Sequence, residues 1–140
     1  MMDTAVDSSV LWSIFKSEPD SEDWLRALQR CVREGALVVC EIVVAEVSPL
    51  FETSQMLCEH LDSLGVTIVP SGLSAWFLAG HTFKNYRANG GPREHLIPDF
   101  LIAAHAQTQA QRLAARDRGY LRRYFPLLEL VPPSAAANAP

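Results

Sequence analysis

Five short apolar segments alternate with longer stretches of different periodicity, and that alternation constrains this 140-residue chain more than any other feature. The segments are Ala5–Val10 (AVDSSV, broken by Asp7), Ala36–Cys40 (ALVVC), Val66–Val69 (VTIV), Leu113–Ala115 and Leu128–Val131. Asp20–Glu34 repeats apolar residues at Trp24, Leu25, Leu28, Cys31 and Val32, which is helical spacing, and Gly35 stops it. Glu41–Phe51 is ambiguous from composition because valine favours strands. It reads as a helix because Glu41 and Glu46 sit badly in a buried strand, and Pro49 bends or ends it. Thr53–Leu64 is amphipathic with Gly65 as its stop. Ser71–Asn89 reads as a long helix capped by Ser71 or Ser74 and broken by Asn89-Gly90-Gly91-Pro92. Pro98–Gln111 and Arg118–Tyr124 complete the helices. Strand–helix alternation of this kind predicts an α/β fold: a central, mostly parallel sheet of about five strands with helices on both faces. In such folds ligands gather at the carboxyl ends of the strands. One domain over residues 1–132 is expected, followed by a disordered tail over 133–140, where PPSAAANAP has nothing to bury.

Charge narrows the function classes. The net charge is −4, which argues against a generic polyanion binder, but the distribution is uneven. Residues 1–63 hold 12 acids and 4 bases, whereas residues 64–140 hold 4 acids and 8 bases. Arg112, Arg116, Arg118, Arg122 and Arg123 crowd into twelve residues around a single acid, Asp117. A local basic patch of this kind holds phosphates even on an acidic protein, and a solvated helix face or a partner-docking surface explains it equally. The three cysteines, Cys31, Cys40 and Cys58, form no CxxC pair and read as buried reduced thiols. No apolar run is long enough to span a membrane, and the N-terminus MMDTAVDSSV lacks a secretory pattern, so a cytoplasmic location is expected.

Four acids stand out. Asp7 falls at the end of the first strand, and Asp117 directly follows Leu113–Ala115. Asp99 opens a helix within the otherwise apolar LIPDFLIAAHA, and Glu46 lies among Val43, Val44, Ala45, Val47 and Leu50. Singly, each aspartate is explained as a helix cap. Glu46, read as buried, needs a partner or a cation. Strand ends and helix beginnings meet at one edge of a parallel sheet, so the four are expected together. Clustered carboxylates repel and raise one another's pKa values, and a divalent cation removes that conflict. Oxygen-only donors suit Mg²⁺ or Mn²⁺, ions that polarise phosphoryl oxygens and activate water.

VDSSVL (Val6–Leu11), LVVCEIVVAEV (Leu37–Val47), IPDFLIAAHA (Ile97–Ala106) and ARDRGYLRRYFP (Ala115–Pro126), in this order and spacing, resemble PIN-domain nucleases, most closely the VapC-type toxins of bacterial toxin–antitoxin pairs. The resemblance spans about residues 3–131. It implies a three-layer α/β/α fold and four metal-binding catalytic acids, matching Asp7, Glu46, Asp99 and Asp117, with Glu46 rather than Glu41 in the AEV position. It also implies metal-dependent RNA cleavage, homodimers and neutralisation by a cognate antitoxin. Ser8 or Ser9 fills the hydroxyl position after the first aspartate. Ala115 stands where relatives often carry Thr or Ser, a departure in one supporting contact.

Other residues read less sharply. Arg116 and Arg118 flank Asp117 and are the preferred phosphate contacts. Arg87 and Arg93 border the Asn-Gly-Gly-Pro loop and fit a substrate groove or plain surface charge. His105 lies most of two turns beyond Asp99 and reads as a packed or hydrogen-bonded core histidine. Tyr120, Tyr124 and Phe125 resemble a packing stripe more than a base-stacking platform. Met56, Leu57, Leu61 and Leu64 read as core-facing, with a partner surface as the alternative. A phosphoaspartate receiver or a DxD phosphatase fits poorly, because no lysine lies near the last strand and Ser8-Ser9 follow Asp7. A nuclease acting on DNA or other RNA, and a non-catalytic interaction module on the same fold, stay open.

Overall fold

The computed structural model describes residues 1–92, 97–116 and 119–134. Five parallel strands form one sheet: β1 (Thr4–Val6), β2 (Leu37–Val39), β3 (Val66–Ile68), β4 (Arg112–Ala114) and β5 (Glu129–Val131), in the order β3-β2-β1-β4-β5. The three central strands are buried at every residue, so their sequence does not alternate; β2 is apolar throughout, whereas β1 and β4 also bury Thr4 and Arg112. The helices are α1 (Ser8–Phe15), α2 (Ser21–Glu34), α3 (Glu41–Val47), α4 (Ser54–Ser63), α5 (Leu73–Ala88), α6 (Ile97–Gln109) and α7 (Tyr120–Tyr124). A single 3₁₀ turn, Ser48–Leu50, follows α3 and contains Pro49, which donates no backbone hydrogen bond. The α/β fold read from the sequence is therefore present, and the sheet is wholly parallel.

The topology places the site. The chain adds β2 and β3 on one side of β1, then returns and adds β4 and β5 on the other. Strand order reverses between β1 and β4, and ligand crevices of open α/β sheets lie outside the carboxyl ends of the strands at such a point. Val6 pairs with Ala114 at the last rung, so the segments after β1 and after β4 leave the sheet side by side. Helix α6 packs on both strands and on α3 and α5. Its Phe100 is fully buried in an aromatic cluster, with Phe83, Tyr86, Tyr120 and Phe125 at centroid distances of 5.1–5.9 Å.

Local chemistry explains most element ends. Thr53 caps α4 by accepting from Met56 N at 3.2 Å. The cap of α5 is Gly72, not Ser71 or Ser74, and the Ser71 N–H donates to the Glu41 carboxylate at 2.8 Å. His105 is buried, with Nε2 2.7 Å from the Val69 carbonyl, as a core histidine should be. On α4, Leu57 and Leu61 face the core, but Met56 is exposed. Cys31 and Cys40 are buried thiols; Cys58 is exposed. The arginine cluster is not one surface: Arg112 is buried in β4, with its Nε 3.1 Å from Thr4 Oγ1 and Nη1 3.5 Å from Glu34. Ser134, expected in a frayed tail, is pinned to α2: its N–H donates to Asp23 O at 3.0 Å and its carbonyl accepts from Arg26 Nε at 3.1 Å. Among the described residues no helix is long and apolar enough to cross a membrane.

Candidate metal centre

Asp7 is the first residue beyond β1. Its N–H donates to Ala114 O at 3.0 Å, which ties the departing chain to β4. Its backbone is extended (φ −74°, ψ 152°), the conformation of an N-cap, and Oδ2 accepts from Ser9 N at 3.2 Å and from the Ser9 hydroxyl. Asp7 therefore caps α1, and Ser9, rather than Ser8, is the hydroxyl that orients its carboxylate. Asp99 lies in the first turn of α6, where the helix dipole favours a negative side chain.

Asp7 and Asp99, 92 positions apart in sequence, line one small cavity. Ile102, Leu113, Ala115 and Leu121 supply its apolar walls, and Arg116 and Tyr120 contribute to its lining. Both carboxylates are half-buried. The cavity holds about 10 Å³, room for a single water or ion. Ala115 places a methyl group here, so the hydroxyl that relatives often carry is missing from this wall.

The other sequence-predicted residues divide. Glu46 is neither buried nor near a helix start: it is the sixth of seven residues in α3 and is exposed. Val43 and Val47 take the core-facing positions of that helix, and Glu46, one step from Val47, is turned away by the 100° rotation per residue. It does not line the Asp7–Asp99 cavity, although α3 packs against α1 and α6, the helices that begin at those two acids. Glu41, at the start of α3, is committed elsewhere. Desolvation raises its carboxyl, but the hydrogen bonds it accepts from Ser71 and from its own amide outweigh that and hold it below the ordinary range. Asp117 and Arg118 lie outside the described residues, as does Arg93. Ser8 is half-buried in the first turn of α1. Among the described residues no three His, Cys, Asp or Glu side chains converge to hold an ion. The described donor set is two aspartates with no nitrogen or sulfur ligand. That chemistry fits a hard cation such as Mg²⁺, which keeps several waters and takes one or two carboxylates.

Arg116, expected to contact phosphate, is engaged by protein. Its Nη2 lies 2.8 Å from Asp20 Oδ2 and 3.7 Å from Glu18. Asp20 was not legible as anything but the start of α2. Its carboxylate makes no cap bond and instead accepts from Ser13 Oγ at 2.5 Å and Trp24 Nε1 at 3.1 Å. The Ser13 hydroxyl, then Arg116 and the indole, hold the Asp20 carboxyl below its usual range, against partial burial, which pushes it up. The only sequence signal was the i, i+4 spacing of Asp20 and Trp24. Arg87 donates to Gly91 O at 2.7 Å and staples its own loop.

Comparison with known proteins identifies the family and the fold. Residues 4–126 match the PIN domain family. The fold is shared with crystal structures of VapBC2 from Rickettsia felis bound to a DNA fragment from their promoter (17% identity, 95% of this chain and 100% of the other, TM-score 0.73). It is also shared with VapBC-1 from nontypeable Haemophilus influenzae (16%, 92% and 96%, 0.68) and with FitAcB from Neisseria gonorrhoeae (20%, 91% and 96%, 0.65). No protein of curated function gives a significant match. The family match covers most of the chain, the switch-point acids sit where the fold gathers ligands, and the chain belongs to the PIN-domain family.

Proposed function

We propose that this protein is a metal-dependent endoribonuclease, the toxin of a VapBC-type toxin–antitoxin pair, which hydrolyses RNA phosphodiester bonds. One observation carries the reading: Asp7 and Asp99, distant in sequence, share an ion-sized cavity at the switch point of a parallel sheet. The VapBC complexes among the structures that share the fold support the toxin assignment and a cognate antitoxin as partner. In this reading Asp7 and Asp99 are the first two ligands of Mg²⁺ or Mn²⁺. Glu46 and Asp117 complete the acid set; Asp117 comes three residues after Ala114, the partner of Val6. When bound, the ion polarises a phosphoryl oxygen and lowers the pKa of water, supplying a nucleophile for in-line attack.

The chain's own residues do the rest. Ser9 fixes the Asp7 carboxylate, and Ser8 beside it is offered to substrate. The apolar walls screen part of each acid from bulk water, which strengthens their hold on a cation. Arg116 and Arg118 contact the RNA backbone, Arg116 by exchanging its exposed Asp20 and Glu18 partners for phosphate. A cytoplasmic homodimer completes the reading.

The test is cleavage of a mixed RNA pool by the purified chain with Mn²⁺, Mg²⁺ or EDTA, beside Asp99→Asn. Cutting that needs metal and disappears in the variant is expected. Equal cutting by the variant overturns the site, and no cutting by either protein on RNA or DNA favours a non-catalytic module.

A further inference from the structure

We propose that the cavity between the end of α5 and α7 is a subsite for an unpaired nucleobase, taken from the same RNA strand whose phosphate meets Asp7 and Asp99. It rests on the ribonuclease reading and adds where the strand lies. The cavity measures about 310 Å³, at the lower end of the roughly 300–1,000 Å³ of small-molecule clefts. Tyr120 lines both this cavity and the Asp7–Asp99 cavity, so the two adjoin at that residue.

The lining has the parts that base recognition needs. Tyr120 and Tyr124 are half-buried, pack against the core and line the cavity. Phe100 supports Tyr120 at 5.4 Å, and Tyr86 meets Tyr124 edge-on at 5.4 Å. Tyr86 is itself fixed, because its hydroxyl donates to Pro92 O at 2.5 Å. Rigid, supported rings of this kind stack bases with little loss of side-chain freedom. Arg123 sets its guanidinium carbon over one face of Tyr124, 5.3 Å from the centroid, which adds positive charge there and leaves the opposite face to a base. Asn89 also lines the cavity, and its amide is both donor and acceptor, the chemistry that reads the polar edge of a base. Gly91 lets the loop close on Tyr86: a Cβ there would stand 2.5 Å from Tyr86 O. The packing stripe expected of Tyr120, Tyr124 and Phe125 is thus only partly that; Phe125 alone is fully buried.

The probe is a single-stranded RNA hexamer carrying one 2-aminopurine, titrated in EDTA into the Asp99→Asn chain. Quenching of the 2-aminopurine on saturation is expected from stacking. Tyr124→Leu and Arg123→Gln should each weaken binding about tenfold, the range of one base–aromatic contact. Arg122→Gln removes the same charge one residue away, outside the cavity lining, and should change binding less than about threefold. A hexamer with an abasic site in place of the 2-aminopurine should bind the unaltered cavity about tenfold more weakly, a comparison that needs no folded variant. Absence of hexamer binding overturns the proposal. So does an abasic hexamer that binds equally well, or an Arg122→Gln loss equal to that of Arg123→Gln with Tyr124→Leu silent. Because the readout is binding without metal, a chain that stacks the base but never cuts refutes the nuclease reading alone.

Discussion

Asp7 does two jobs, and two substitutions separate them. Its carboxylate caps α1 through Ser9 N at 3.2 Å and lines the cavity it shares with Asp99. Asp7→Asn removes the charge but keeps a side chain that caps as well as aspartate; Asp7→Ala removes both. The difference between the two variants therefore isolates the cap, worth about 1 kcal/mol. For a chain of this size that is a melting-temperature gap of about 3–5 °C, with Asp7→Ala the lower. In EDTA, Asp7→Asn should melt at or slightly above the unaltered protein, because it relieves repulsion between two half-buried carboxylates. Adding Mg²⁺ reverses the order. An ion that binds only the folded state stabilises it by about 2.7 kcal/mol at a hundred times its Kd, and neither variant should gain that increment. Differential scanning calorimetry with EDTA and with a Mg²⁺ series reads all of this. Equal melting of Asp7→Ala and Asp7→Asn would refute the cap. A full Mg²⁺ shift in Asp7→Asn would remove Asp7 from the ion, whatever happens to RNA cleavage.

Three further outcomes follow from packing and charge. Burial pushes the His105 imidazole below its ordinary range, against the Val69 carbonyl and Glu41, which favour its charged form. Below pH about 6.5 the unfolded chain therefore binds more protons than the folded one, so stability should fall as pH drops from 6.5 toward the lower folded value. His105→Gln, which retains a donor for Val69 O, should flatten that slope in urea melts between pH 5 and 7; an unchanged slope would assign it to other groups. Asp20→Asn should release Arg116 and weaken the Ser13 and Trp24 contacts, for a loss of about 1 kcal/mol given how exposed the ion pair is; RNA affinity that rises while stability falls would match the exchange of partners, and affinity that falls would mean that Asp20 holds Arg116 in its binding position. Gly35→Ala should cost more than about 2 kcal/mol, because a Cβ would stand 2.2 Å from Met2 O, where the N-terminal segment crosses; a melting temperature within 1 °C of the parent would mean that this segment moves aside freely.

Much of the molecule was legible in the chain because it depends on short-range rules. Short, mainly apolar segments marked the doubly covered strands, helical spacing and Gly35 and Gly65 bounded α2 and α4, and the alternation of the two dictated a parallel sheet. Asp7 and Asp99 were readable as site candidates because each is a lone carboxylate at the end of an apolar element. The exposure of Glu46 was not readable: valine on both sides hides which side of a seven-residue helix is buried, and only the packing of α3 on α1 and α6 settles it. The Asp20–Arg116 pair joins residues 96 apart, and no local pattern encodes it. The same holds for the double placement of Tyr120 between two cavities. Sequence by itself determined most of the segments that become strands and helices, since periodicity and turn chemistry act within a few residues, but Ser8–Val10, read with the first apolar segment, belong to α1. Tertiary structure alone decided which acids share a cavity and which arginine faces them, because those distances are set by strand order, and strand order is a property of the whole sheet.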